Sequence, residues 1–146
     1  MDAFYSRTAL LFGETAISKL QAARIAVVGL GGVGSAAAEA IARSGVGQMV
    51  LVDGDCVVES NLNRQLFALR STLGKPKTEA AAMRIADINP DCRLETIPVF
   101  LNGTSDFSFL IGCSYCIDAI DDVRATVEVL RAMGTERDDL ERYVDL

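Results

Sequence analysis

The stretch Arg24-Ile25-Ala26-Val27-Val28-Gly29-Leu30-Gly31-Gly32-Val33-Gly34, followed by the Ala-rich run from Ser35 to Ala42, decides the fold class. It reads as strand, tight turn and helix. Its apolar, β-branched start ends in glycines, which let the backbone turn sharply and approach a ligand closely. The helix that follows points its unpaired N–H groups and the positive end of its dipole at whatever lies above the turn, so an anion belongs there. Asp53 comes nineteen residues after Gly34 and closes a second apolar run, Met49-Val50-Leu51-Val52. An acid at that spacing can accept hydrogen bonds from a ribose. Phosphate at one end and ribose at the other describe a nucleotide without saying which. The alternative is a glycine turn that only packs a helix on a strand.

Working outward, strand patterns fall at about Ile25 to Val28, Met49 to Val52, Arg93 to Pro98 and Ser114 to Asp118. Helical patterns alternate with them at about Val33 to Ser44, Lys75 to Ile88, Ser105 to Ile111 and Val123 to Met133. Gly45 and Gly47 close the first of these helices, and Asn89-Pro90 the second. Before the glycine turn, Gly13 to Ala22 reads as a short amphipathic helix and Phe4 to Leu11 as an ordered arm or extended lead-in. Alternating strands and helices imply parallel strands with right-handed crossovers, hence an α/β, doubly wound, mostly parallel, Rossmann-like sheet. A strand order of 3-2-1-4 would put the switch in direction between the first and fourth strands, where ligands settle. The acidic end of the fourth strand, Ile117-Asp118-Ala119-Ile120-Asp121-Asp122, then lies beside the glycine turn. Carboxylates facing a polyphosphate repel it unless a cation intervenes, so Mg²⁺ with a triphosphate fits better than a dinucleotide.

The 146 residues suit one domain, half of them hydrophobic and 23% charged. No apolar run approaches the roughly 20 residues of a membrane span. Met1 to Arg7 has no basic head leading into an apolar core, so a cytoplasmic protein is expected. Four irregularly spaced cysteines point to reduced thiols, with Cys113-Ser114-Tyr115-Cys116 either core thiols or half of a zinc site. There is no histidine, which excludes Ser-His and Cys-His nucleophiles and makes any general base a carboxylate or a lysine. The net charge of −6 disfavours broad nucleic-acid binding.

Between Asp53 and Lys77 lie Glu59-Ser60-Asn61-Leu62-Asn63-Arg64-Gln65 and Gly74-Lys75-Pro76-Lys77. Hydride transfer has no need of this cluster. An enzyme handling a triphosphate does: Arg64 can clamp phosphate oxygens bidentately and Lys77 can supply a point charge as pyrophosphate departs. Taken alone, Lys77 would read as a solvated lysine on a helix face.

With Phe4-Tyr5-Ser6-Arg7-Thr8, Asp53-Gly54-Asp55 and Asp118-Ala119-Ile120-Asp121 added to these motifs, the chain resembles the adenylation domain of ubiquitin-activating (E1-like) proteins over about residues 4 to 130. That superfamily includes the thiamine and molybdopterin sulfur-carrier activating enzymes. Arg7-Thr8, Arg43-Ser44-Gly45-Val46-Gly47 and Asp118-Ala119-Ile120-Asp121 look most like its bacterial branch, the tRNA threonylcarbamoyladenosine dehydratases. The resemblance implies ATP as co-substrate, with Gly29, Gly31, Gly32 and Gly34 cradling its phosphates and Asp53 its ribose. Asn61, Arg64 and Lys77 would hold the phosphate chain, Asp121 would hold Mg²⁺, and Arg7 would reach into the partner's site of a homodimer. The implied reaction adenylates a carboxylate. The substrate is tRNA N6-threonylcarbamoyladenosine or, alternatively, the C-terminus of a ubiquitin-like sulfur carrier; an inactive remnant and an NAD-dependent oxidoreductase are further alternatives. Residues 1–23 would form an arm and helix, 24–133 a partial ATP-binding adenylation domain, and 134–146 an atypical tail. From Gly134 the resemblance ends, and the charge spacing there suits a short solvated helix. The expectation is therefore a chain cut short or frameshifted, with its tRNA-binding region absent and its fourth strand an unprotected edge.

Overall fold

In the computed structural model, which describes residues 3–134 and the backbone of 143–145, a short 3₁₀ turn (Ala3–Tyr5) leads into α1 (Ser6–Phe12) and α2 (Glu14–Ala22). There follow β1 (Arg24–Val28), α3 (Gly32–Ser44), β2 (Gln48–Val52), α4 (Lys77–Ile88) and β3 (Arg93–Ile97). The chain continues through β4 (Tyr115–Asp118), α5 (Val123–Met133) and β5 (Tyr143–Asp145). All the strand pairings are parallel, in the order β3-β2-β1-β4-β5, so the first four strands take the expected 3-2-1-4 arrangement. Val28, the last residue of β1, stands between Val52 on β2 and Asp118 on β4.

Successive strand side chains point to opposite faces, and the apolar runs feed two separate layers. On one face Val27, Met49 and Leu51 pack with Ala38 and Ala42 of α3 and with Ala81 and Ile85 of α4. On the other, Ala26, Val28, Val50 and Val52 pack with Phe109, Leu110 and Cys116 and with Val129 and Met133 of α5. The small alanines of α3 let it lie close to the sheet. At Gly34 a Cβ would overlap the carbonyl oxygen of Gly29, so only glycine permits that approach.

Four local expectations are corrected. The expected helix over 105–111 is only a 3₁₀ turn at Ser108–Leu110. Both carboxylate oxygens of Asp106 accept from Ser108, from its N–H at 2.8 Å and its hydroxyl at 3.0 Å, and such local bonds compete with helix formation. The helix expected from Lys75 begins at Lys77, because Lys75 precedes a proline and Pro76 itself is extended (ψ 137°). The arm expected over Phe4 to Leu11 is largely helical. Its Tyr5 ring is buried against Gly45, where φ is +90° and a Cβ would overlap the ring, while Gly47 N–H donates to Leu20 O at 3.0 Å. The Arg43-to-Gly47 segment is thus the seat of the N-terminal helices. Finally, β4 is not an unprotected edge: Tyr143 to Asp145 pairs with Cys116 to Asp118. The helix expected in the tail falls on 135–142, outside the described residues.

Candidate active site

Parallel strands bring their C-terminal ends to one edge of the sheet, and the helices that follow start there. The N-termini of α3, α4 and α5 consequently surround one cleft of about 720 Å³. The glycine turn supplies Gly29, Gly31 and Gly32 to its floor. Asp53 and Asp55 enter from the end of β2, and Asn61, Arg64 and Gln65 from the connection between β2 and α4. Lys77 opens α4, and Asp121 and Asp122 precede α5.

The turn is held by close backbone approach. Gly29 has φ +91°, and a Cβ there would meet the Ala119 carbonyl, whose own N–H donates to Val28 O at 2.8 Å. At Gly31 and Gly32 a Cβ would make only ordinary contacts, 3.8 Å or more from its neighbours, and both glycines line the cleft. Gly34 differs. It is buried behind the turn, packs against Gly29 and is not among the residues that line the cleft.

Asp53 ties the cleft together: its Oδ2 accepts from Leu30 N–H at 2.7 Å and its Oδ1 from Asp55 N–H at 2.8 Å. Each carboxylate oxygen keeps a second lone pair for a hydroxyl. Asn61 is buried, and its Oδ1 accepts from Val58 N–H at 3.1 Å. The hydroxyl of Ser35 accepts from Leu66 N–H at 3.3 Å and fastens this connection to the first turn of α3. Arg64 lies at the exposed rim, where Nη1 donates to Ser60 O at 2.9 Å and to Asn63 Oδ1 at 3.0 Å. Lys77 is not a solvated lysine. Its side chain is 8% exposed, and its Nζ lies 3.0 Å from Asp55 Oδ2.

Of the acids after β4, Asp118 is fully buried and its Oδ1 accepts from Ile120 N–H at 3.1 Å, shaping the turn. Asp122 caps α5 through a 2.8 Å bond from Ala125 N–H. Asp121 is exposed and lines the cleft beside it. Arg7 lies on exposed α1 and is not among the residues of the cleft.

Sequence reasoning missed Asp55, whose pairing with Lys77 spans 22 positions, and the apolar wall of Val99, Phe100 and Leu101 after β3. Phe100 rests on Gly54, where a Cβ would strike its ring, yet it remains 69% exposed. A bulky aromatic just past a strand end was the available signal. The Cys113/Cys116 pair is buried; burial, with Asp118 and Cys113 nearby, pushes the Cys116 thiol up to about 12. Both belong to the apolar layer that holds Phe109 and Val129, where the core-thiol reading puts them.

The same arrangement recurs in known proteins. The tRNA threonylcarbamoyladenosine dehydratase of Escherichia coli is 47% identical over 121 residues, covering 82% of this chain and 45% of the relative. Its counterpart in Bacillus subtilis is 44% identical over 128 residues, covering 87% of this chain and 50% of the relative. Among solved structures, E. coli tRNA N6-threonylcarbamoyladenosine dehydratase in complex with ATP superposes with a TM-score of 0.88 at 42% identity, covering 99% of this chain and 60% of that one. The chain spans about half the length of the curated relatives it matches. The sequence profile of the ThiF family matches residues 5–139, which include every element that builds the cleft; on these grounds the chain belongs to the ThiF family.

Proposed function

We propose that the cleft binds ATP and activates a substrate carboxylate by adenylation, as the first step of cyclising N6-threonylcarbamoyladenosine in tRNA. The observation that carries this reading is the convergence of the glycine turn, Asp53, Lys77, Arg64 and Asp121 on one cleft at three helix N-termini. It is supported by the solved relative in complex with ATP. Phosphates would lie over Gly31 and Gly32, where the α3 N–H groups and dipole favour negative charge. Asp53 would accept from ribose hydroxyls, while Asn61, Arg64 and Lys77 would meet the phosphate chain.

Attack of the carboxylate oxygen on the α-phosphorus forms the acyl-adenylate and breaks the bond to the β-phosphate. Pyrophosphate leaves with its charge matched by Lys77 and Arg64. The activated carbonyl is then captured within the substrate, closing a ring and releasing AMP. No step needs a histidine. Positioning and charge stabilisation carry the work, as in other phosphate chemistry.

Mg²⁺ fits the cleft in one form only. A cage of protein ligands is absent among the described residues, but Asp121 offers one carboxylate, and Mg²⁺ commonly takes one or two carboxylates with phosphate oxygens and water. Bound there, the ion would neutralise phosphate charge. By the family resemblance, Arg7 would reach the site of a second copy in a homodimer.

Calorimetric titration with ATP, with and without Mg²⁺, tests the reading. The parent binds, Asp121→Ala loses most of the Mg²⁺ dependence, and Lys77→Met weakens binding at least about tenfold, as expected for a lost charged hydrogen bond. Equal affinity in Asp121→Ala and parent removes Asp121 from the metal. Digestion of modified tRNA after incubation with protein and ATP should show nucleoside mass reduced by one water.

A further inference from the structure

The ion pair between Lys77 and Asp55 is lopsided. The lysine side chain is 8% exposed and the aspartate 55%. Lys77 is rooted independently of that carboxylate: it is the first residue of α4, and its N–H donates to Asp55 O at 2.9 Å. Asp55 is rooted too, by the 2.8 Å bond from its N–H to Asp53 Oδ1. A buried ammonium left without a counter-charge is costly, whereas a half-exposed carboxylate is readily solvated when it gives up its partner. An anion entering the cleft therefore meets a lysine that is already paired, and competes with the carboxylate for it.

We propose that Asp55 is the exchange partner of Lys77. It holds the ammonium while the cleft is empty, yields it to the polyphosphate, and takes it back as pyrophosphate departs. Asp55 is a positioning residue in this scheme and touches neither substrate nor reacting atoms. Its consequence is weaker anion binding and faster product release. The proposal rests on the reading that the cleft handles ATP. It differs from a scaffolding role in the sign of its effect: losing a scaffold weakens ligand binding, and losing a competing carboxylate strengthens it.

The test is titration of the 146-residue chain, separately with inorganic pyrophosphate and with ATP, for the parent, Asp55→Asn and Asp55→Glu. Removing one unit charge several ångströms from a bound anion, in a partly solvated cleft, is worth about five- to tenfold in affinity. Asp55→Asn is accordingly expected to bind pyrophosphate about five- to tenfold more tightly and release it more slowly in stopped flow, even if its melting temperature falls slightly. Asp55→Glu keeps the competing charge and stays near the parent. Asp55→Ser, which also lacks the charge, serves if the asparagine variant does not fold. Unchanged or weaker pyrophosphate binding in the neutral variants overturns the exchange. If ATP still binds the parent in that case, the nucleotide reading stands alone. Pyrophosphate binding with the expected pattern, without ATP binding, keeps the exchange and rejects the nucleotide reading. Binding of neither ligand rejects both.

Discussion

At the scale of single residues, two glycines carry the turn for different reasons. Gly29 needs a left-handed backbone and a close contact with Ala119, and Gly34 lets α3 touch the turn. Replacing either with alanine forces backbone apart, so each is expected to destabilise the protein by about 3 kcal/mol, measured by urea unfolding. Gly31→Ala should lower stability far less while still impairing ATP binding, because its Cβ would meet only Gln65 Nε2, at 4.0 Å, at the lining of the cleft. The motif as written shows the glycines but not this division between packing and ligand. The cysteines separate in the same way. Cys56 is exposed, while burial raises the Cys92 thiol to about 11 and Cys116 to about 12. Thiolate is the reactive form, so at pH 8 a disulfide reagent should titrate one thiol in the native protein and all four after unfolding. Rapid reaction of a second thiol in the native state would contradict the core assignment.

Between elements, the contact of α3 with α4 turns on Glu39. It accepts from Arg84 Nε of α4 at 2.5 Å and from Arg43 Nε, one turn along its own helix, at 2.9 Å. The Arg84 hydrogen bond, opposed by burial and helped by Arg43, holds the Glu39 carboxyl below its ordinary value of 4.5. A carboxyl with a lowered folded value adds stability above the unfolded value and loses it as pH falls through the folded one. The parent should exceed Glu39→Gln by about 1 kcal/mol at pH 7, with the gap shrinking as pH falls below the ordinary value of 4.5. Chemical denaturation at several pH values reads this; a gap that does not shrink on acidification excludes a charge-based contribution. Most element positions were legible because the apolar runs are short, β-branched and separated by helical periodicity. The crossover after β3 was not, since the local bonds of Asp106 to Ser108 defeat the apolar helical pattern there. The start of α4 could have been read from Pro76, whose effect on Lys75 is a local rule.

For the whole molecule, the cleft exists because parallel strands end together, and six separate stretches of sequence meet there. If Arg7 completes a partner's site, mixing Arg7→Ala with Lys77→Met should restore part of the adenylating activity that each variant lacks alone. Absence of recovery in a mixed dimer, confirmed by sedimentation, would remove Arg7 from the site. Sequence by itself determined the fold class and the order of the first four strands, since periodicity and glycine punctuation are local properties that survive any packing. Only the tertiary structure decided that Lys77 is buried against Asp55, that Gly34 packs against Gly29, and that β4 has a neighbour. Those outcomes depend on which distant segments share one space, a matter of burial and backbone contact across the sheet that no local pattern encodes.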